Sequence, residues 1–206
     1  MPELNTDANT LTLIGERLCL DFTNTAGWHA ADDPDEWLTS YERLAGWSRH
    51  AGILTDKQEN TLLQEAKQRP KEAEEVLAQA LELREAVYRL FVSIAKGEPN
   101  HASDDLVIVN KNVKEAYRHA EILPRADGFA LEFEKNADKL NWMLWPIVQS
   151  TTELLISEKL DRVKQCEGDP CGWLFLDTSR NRSRRWCSMQ DCGNRAKARR
   201  FYQRKK

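Results

Sequence analysis

Four cysteines near the end of the chain are the residues best placed to do chemistry. Cys166 and Cys171 enclose four residues, EGDP, and Cys187 and Cys192 enclose four more, SMQD. Fifteen residues separate the pairs. Two short cysteine pairs at that separation supply the donors of a tetrahedral site for one Zn2+, because each pair can bend around one side of an ion. Gly168 and Pro170 bring turn chemistry to the first pair. Four thiolates fill the shell of a zinc ion, so the expected metal is structural and no position is left for catalysis. Competing thiol chemistries fit less well. Disulfides require an oxidising compartment, and iron–sulfur clusters use tighter cysteine spacings. Oxidation of the thiolates with release of the metal is a redox-switch alternative that the chemistry permits.

The elements around the cysteines must hold them in place. GWLFLDTSRNRSRRW, between the pairs, reads as a hairpin: a strand at 173–177, a polar loop at 178–183 and a return through Arg185 and Trp186. NRAKARRFYQRKK is strongly helix-forming and puts Cys192 in the first helical turn, where the dipole favours a thiolate. Knuckle, hairpin and helix in that order give a treble-clef-like layout. So short a segment, this poor in apolar side chains, cannot fold by burial alone. Metal binding supplies the missing stability, on the order of 10 kcal/mol.

Charge divides the chain near Asp161. Residues 162–206 hold 13 Lys/Arg and 4 Asp/Glu, a net +9, whereas residues 1–161 hold 17 and 29, a net −12. A module boundary is therefore expected there, with an acidic regulatory domain at 1–161 and a basic zinc finger at 162–206. With 41% hydrophobic and 31% charged residues the chain reads as globular, and no apolar run is long enough to span a membrane. The opening MPELNTDANT lacks a basic stretch followed by an apolar one, so a secretory signal is not expected and a reducing, cytoplasmic location is.

The acidic part reads as mostly helical, which makes the fold class mainly α. Helices are expected over DPDEWLTSYERLAGWSRHAG, over the stretch N-capped by Thr55, over a long segment from Pro70 to a stop at Gly97, over 104–120, and over 138–158 with a disturbance at Pro146. GFALEFEK, 128–135, alternates as one short strand. Asp32/Asp33 and Asp104/Asp105 fit helix starts. The four histidines, at 29, 50, 101 and 119, have no ligand or catalytic spacing and suit surface or cap positions. No nucleophile–base pattern is present, so an enzyme is not expected. In GERLCLDFTNTAGWH, polar groups sit among apolar ones. Asp21, Asn24 and His29 are candidate contacts for a small effector, against the plainer reading of buried groups satisfied locally. Cys19 suits the core.

The basic end offers a nucleic-acid surface. Arg180, Arg182 and Arg184 lie in the expected hairpin with Arg185. Arg195, Lys197, Arg199, Arg200 and Arg204 lie on the last helix. Its wheel places Asn194, Ala198 and Phe201 on one side, to pack on the finger, and leaves Lys197, Arg200 and Arg204 as one cationic stripe and Arg195 and Arg199 as another. Guanidinium forks suit phosphates and guanine edges. Part of this charge is expected to serve inside the protein, with Arg185 or Arg195 pairing Asp177, or to dock the finger on the acidic domain.

The stretch from Cys166 to the end resembles the CGNR zinc-finger family. The naming tetrapeptide stands at Cys192, Gly193, Asn194 and Arg195, supported by WLFLDTSRNRSRRWC and AKARRFY. LCLDFTNT, 18–25, is similar to the opening of the stress-induced transcription regulator (ABATE) domain that accompanies this finger. The resemblance implies a bacterial DNA-binding transcription regulator whose single zinc is held by Cys166, Cys171, Cys187 and Cys192. RNA is a further partner in view, as are a homodimer and a small-molecule effector. The rival from another class is a protein–protein adaptor with a purely structural finger.

Overall fold

The computed structural model describes residues 7–98, 103–134 and 139–203. Among the described residues are seven α-helices and three two-stranded antiparallel sheets, consistent with a mainly α protein carrying a zinc finger. No described helix is long and apolar enough to cross a membrane.

The helical body is built around α1 (Leu18–Thr23), whose residues from Cys19 to Thr23 are all buried. Its last turn leads into β1 (Ala26–Gly27), which pairs with β2 (Asp35–Glu36). The expected helix from Pro34 starts later, as α2 (Tyr41–His50), where the Ser40 hydroxyl accepts from the Arg43 amide. Two contacts keep the preceding residues extended. The Glu36 carboxylate accepts the Leu38 amide at 2.7 Å and also pairs with Arg84. Asp32 and Asp33 consequently head no helix. α3 (Asp56–Gln68) begins with the expected Thr55 cap, completed by Gln58 as a reciprocal capping box. α4 (Pro70–Ala95) carries Pro70 at its start, where a missing N–H costs nothing, and ends before Gly97, whose φ of 76° suits glycine.

α4 is the central rod. Val76, Ala80, Leu83, Val87, Leu90 and Phe91 face inward along the expected stripe. They meet Leu20, Phe22, Leu44 and Trp47 in one core, where Phe22 and Trp47 lie 5.3 Å apart. Each such side chain stabilises by about 1.5–3 kcal/mol when fully buried. α5 (Asp104–Tyr117) stops short of the expected 120, because the chain turns into a hairpin, β3 (Ala120–Arg125) and β4 (Gly128–Phe133). The alternation in the sequence points to β4 alone. His119 stacks on Trp145 at 4.4 Å, and Phe133 packs beside it at 6.0 Å, which anchors the hairpin base. α6 (Trp145–Leu155) follows a 3-10 turn at Trp142–Leu144; Pro146 falls in its first turn and so shortens the expected helix.

The terminal lobe departs from the expected hairpin. β6 (Leu174–Leu176) pairs backward with β5 (Val163–Gln165), in the register Val163↔Leu176, Lys164↔Phe175 and Gln165↔Leu174. The first cysteine pair is therefore the loop of the hairpin, and no strand returns through Arg185 and Trp186. Burial decides this: Val163, Leu174 and Leu176 join the helical core, whereas 178–185 has no apolar side chain to offer and Trp186 packs on the sulfur cluster. That stretch instead wraps the Asp177 carboxylate, which accepts from the Ser179 and Arg184 amides at 3.0 Å each and from Lys164 at 2.6 Å. These donors hold Asp177 well below the usual carboxylate range despite its burial. A wide helical turn at Met189–Gly193, capped by the Ser188 hydroxyl, runs into α7 (Asn194–Gln203).

Candidate metal centre and basic surface

The hairpin loop and the helical turn bring Cys166, Cys171, Cys187 and Cys192 together. Their sulfurs all lie within 4.8 Å of one another, and all four residues are buried. The Cys171–Cys187 sulfurs are 3.7 Å apart and the Cys187–Cys192 sulfurs 3.5 Å. A tetrahedron with zinc–sulfur bonds of about 2.3 Å has edges of roughly 3.8 Å, so the cluster has the size of a closed zinc shell. Gly168 makes the approach possible: a Cβ there would stand 2.8 Å from the Cβ and 2.9 Å from the sulfur of Cys192. Donors surround the sulfurs as they do in thiolate sites. The Gly168 and Cys187 amides point to Cys166 Sγ at 3.4 and 3.3 Å, and Arg195 donates to Cys192 Sγ at 2.9 Å. The four cysteines are suited to binding one zinc ion, which would be coordinated by all four sulfurs.

The electrostatics lead to the same cation. Hydrogen bonds from neighbouring thiols, Cys171 first, push Cys166 down as a thiolate. The Cys166 sulfur in turn pushes Cys171 and Cys187 up. Four sulfurs this close cannot all ionise beside one another unless a positive ion lies between them. Cys19 belongs to another environment: burial in the core raises its thiol to about 12, and it is inert packing, as expected.

The body provides a socket for the lobe. The Asn24 side chain, fully buried, donates to the Leu174 carbonyl and accepts from the Leu174 amide, both at 2.8 Å, and so imitates a neighbouring strand. The Leu176 amide donates to the Gly15 carbonyl at 3.0 Å, and Trp173 Nε1 to the Ala26 carbonyl at 2.8 Å. Asp21 fixes the Gly15 loop by accepting its amide at 2.7 Å; burial raises this carboxyl to about 6, with the Gly15 and Ile14 amides opposing. His29, expected at the surface or in an effector site, is buried. Its ring nitrogens meet the Thr23 carbonyl and the Glu85 carboxylate at 2.9 and 3.1 Å, and it stacks on Tyr88 at 3.5 Å. Tyr88 then donates to the Gly172 carbonyl beside Cys171. Gly172, with φ of 71°, sits so close that a Cβ would lie 2.5 Å from the Ala30 amide nitrogen. The three polar residues singled out in the sequence are thus ties among protein groups. His50 bonds the Leu11 carbonyl at 2.7 Å, and His101 falls outside the described residues.

Arg84 and Glu85, on α4, also belong to this seat, and no local sequence signal points to them. Arg84 is buried and pairs with Glu36 and Glu85 at 2.5 and 2.9 Å. Burial raises the Glu85 carboxyl, but His29 and Arg84 outweigh it and bring Glu85 down to about 2.

The candidate nucleic-acid cations divide into two groups. Arg182 pairs with Asp161, Arg185 with Glu167, and Arg199 with Asp169 at 3.1 Å. Arg184 lies 4.3 Å above the Phe175 ring and donates to the Cys187 and Ile14 carbonyls, while Arg195 covers Trp28 at 4.4 Å. Asp177, expected to take Arg185 or Arg195, takes Lys164 instead because β5 places that amine alongside it. Arg180, Lys197 and Arg200 are exposed and have no carboxylate partner among the described residues; Arg200 lies 5.8 Å from the Trp186 ring. Arg204 lies outside the described residues. Asn194 donates to the Gln190 carbonyl and so closes the wide turn. The expected packing side of α7 is not buried: no residue of the helix is buried, and Phe201 is 55% exposed.

Two open cavities line this surface. One, of about 220 Å³, lies between Trp186, Arg195, Arg199 and Arg200; the other, of about 530 Å³, between Lys96, Lys164, Arg182 and Arg184. Glu167 and Arg185 form a wall common to both.

Two family models match the chain. The CGNR zinc finger matches residues 162–205, and the family described as "putative stress-induced transcription regulator" (ABATE) matches residues 16–158. Neither is a family of enzymes. No curated protein matches the chain.

Proposed function

The chain belongs to the ABATE family and ends in a CGNR zinc finger, and from this premise we propose that it is a nucleic-acid-binding regulator of transcription whose contact surface is the zinc lobe. In this reading residues 162–206 form the binding module, and the acidic domain, 1–161, seats it. The observation that carries the proposal is the surplus of cations on a rigid lobe. Seven Lys and Arg side chains of the lobe, with Lys96 of the body, border the two cavities against Glu167 and Asp169 alone. Ion pairs fix the paired cations in place, while Arg180, Lys197 and Arg200 remain to meet phosphates. Phosphate contacts of this kind give affinity without sequence choice.

Zinc here has no step in a reaction. When bound it keeps four thiolates together, and the residues of the chain do the rest: the hairpin positions the loop, and α7 carries the exposed cations outward. The test is fluorescence anisotropy with random-sequence DNA across a salt titration. Arg180→Ala, Lys197→Ala and Arg200→Ala should each lower the log–log salt slope by about 0.7–0.9, with the fold unchanged. Should all three bind as the parent does, this surface is not the contact.

One observation favours a second reading, the adaptor. One face of the β3–β4 hairpin is apolar from base to tip, and its outer residues Ile122 and Phe129 are 71% and 80% exposed. Such a face suits a protein partner. Ile122→Ser with Phe129→Ser would then abolish complex formation and leave nucleic-acid binding intact.

A further inference from the structure

The last helix exposes more than charge. Phe201 and Tyr202 are 55% and 70% exposed, with rings 5.8 Å apart at 76°. Helical spacing sets each aromatic at the end of a cationic stripe. Tyr202 follows Arg195 and Arg199 at i+7 and i+3, and Phe201 follows Lys197 at i+4. The neighbouring stripe leads to a third aromatic: Trp186, on the wall of the smaller cavity, has the guanidinium groups of Arg185 and Arg200 at 5.3 and 5.8 Å from its ring. Phe201 and Tyr202 are therefore open to a ligand from solvent, and Trp186, half-buried against the sulfur cluster, offers part of its ring as well.

Duplex phosphates account for the cations but not for the rings, since paired bases keep their faces stacked on each other. Unpaired bases offer π faces to aromatic side chains, and alternation of rings with cations is what a single strand needs: stacking for bases, charge for the phosphates between them. Resting on the nucleic-acid reading above, we infer that the lobe binds single-stranded nucleic acid in preference to duplex, with Tyr202 and Phe201 as stacking platforms and Trp186 at the cavity as a further one. The smaller cavity, about 220 Å³, has room for one base beside Trp186.

The test uses the full-length, zinc-loaded protein and fluorescein-labelled 20-mers of mixed sequence: single-stranded DNA, single-stranded RNA of the same sequence, and the DNA duplex. The expected result is single strands bound at least about tenfold more tightly than duplex, and a loss of about tenfold or more for single strands only in the Phe201→Ala, Tyr202→Ala double variant. Both side chains are exposed, so the variant keeps its fold, which its zinc content and thermal midpoint will verify. The DNA and RNA arms show which sugar the strand carries. Duplex bound as tightly as single strand, with the double variant unaffected, overturns the single-strand inference and leaves the nucleic-acid reading standing. No binding of any of the three at low salt overturns both.

Discussion

The helical body and the cysteine lobe reach a fixed structure by different means. The body buries Trp47, Phe91, Phe22 and a series of leucines against α4, and would lose little from the absence of a metal. Around the four sulfurs, only Phe175 is a fully buried apolar side chain. The lobe's hairpin borrows the body's core through Val163, Leu174 and Leu176, whereas its second half, from 178 onward, has no apolar anchor beyond the sulfur cluster. Dependence on zinc should therefore rise along the lobe, from a seated hairpin to a helix that follows Cys187 and Cys192 and reaches beyond the sulfurs through Arg195 on Trp28 and Arg199 on Asp169.

The largest effect that would break this comparison is removal of a sulfur. Cys187→Ser should abolish stoichiometric zinc, unfold 178–203 and cost the lobe on the order of 10 kcal/mol of its local stability, with body helicity in circular dichroism preserved. Unfolding of the whole chain would mean that the body, too, rests on the metal. Next is the socket. Asn24→Ala strands the buried amide and carbonyl of Leu174 and should cost about 2–4 kcal/mol in urea unfolding, more than a surface change and without loss of zinc ligands. A cost below about 0.5 kcal/mol would show that the two parts are only lightly joined. Gly168→Ala, which crowds Cys192, should weaken zinc affinity about 10- to 100-fold in a competition titration and spare the body. An unchanged affinity would contradict the close approach of the two cysteine pairs.

The smallest effect is electrostatic. The Asp21 carboxyl sits at about 6, above its ordinary 3.8, so its neutral form suits the folded state. The stability it gives is present below about pH 4 and is lost as pH rises through about 6. Asp21→Asn keeps an acceptor for Gly15 without the charge, and should match or exceed the parent by about 1–2 kcal/mol near pH 7, with zinc in excess. A variant less stable than the parent at that pH would show that the ionised carboxylate is needed.

The metal ligands could be read from the sequence because their signal is local: short spacings, a turn-forming glycine and a helix just beyond. Pairing across distance was less accessible. The partner of β6 lies before the knuckle rather than after it, and an apolar run such as WLFL does not say which side it pairs on. β3 was missed because Glu121 and Pro124 interrupt its alternation. Asn24 showed itself only as a polar residue among apolar ones; its partner is 150 residues away. For α7 the helical wheel groups Asn194, Ala198 and Phe201 on one side, expected to pack. A wheel cannot show whether any surface buries that side, and no residue of the helix is buried.

Hydrogen–deuterium exchange of the full-length protein with and without a strong zinc chelator tests the division of labour most directly. With one zinc bound, slow exchange is expected through both the body and residues 187–203. After chelation, protection should vanish from 178–203, weaken at 163–176 and persist in α1, α4 and α6. Unchanged protection of 178–203 in protein shown to be metal-free would contradict the claim that four sulfurs on one ion hold the lobe together.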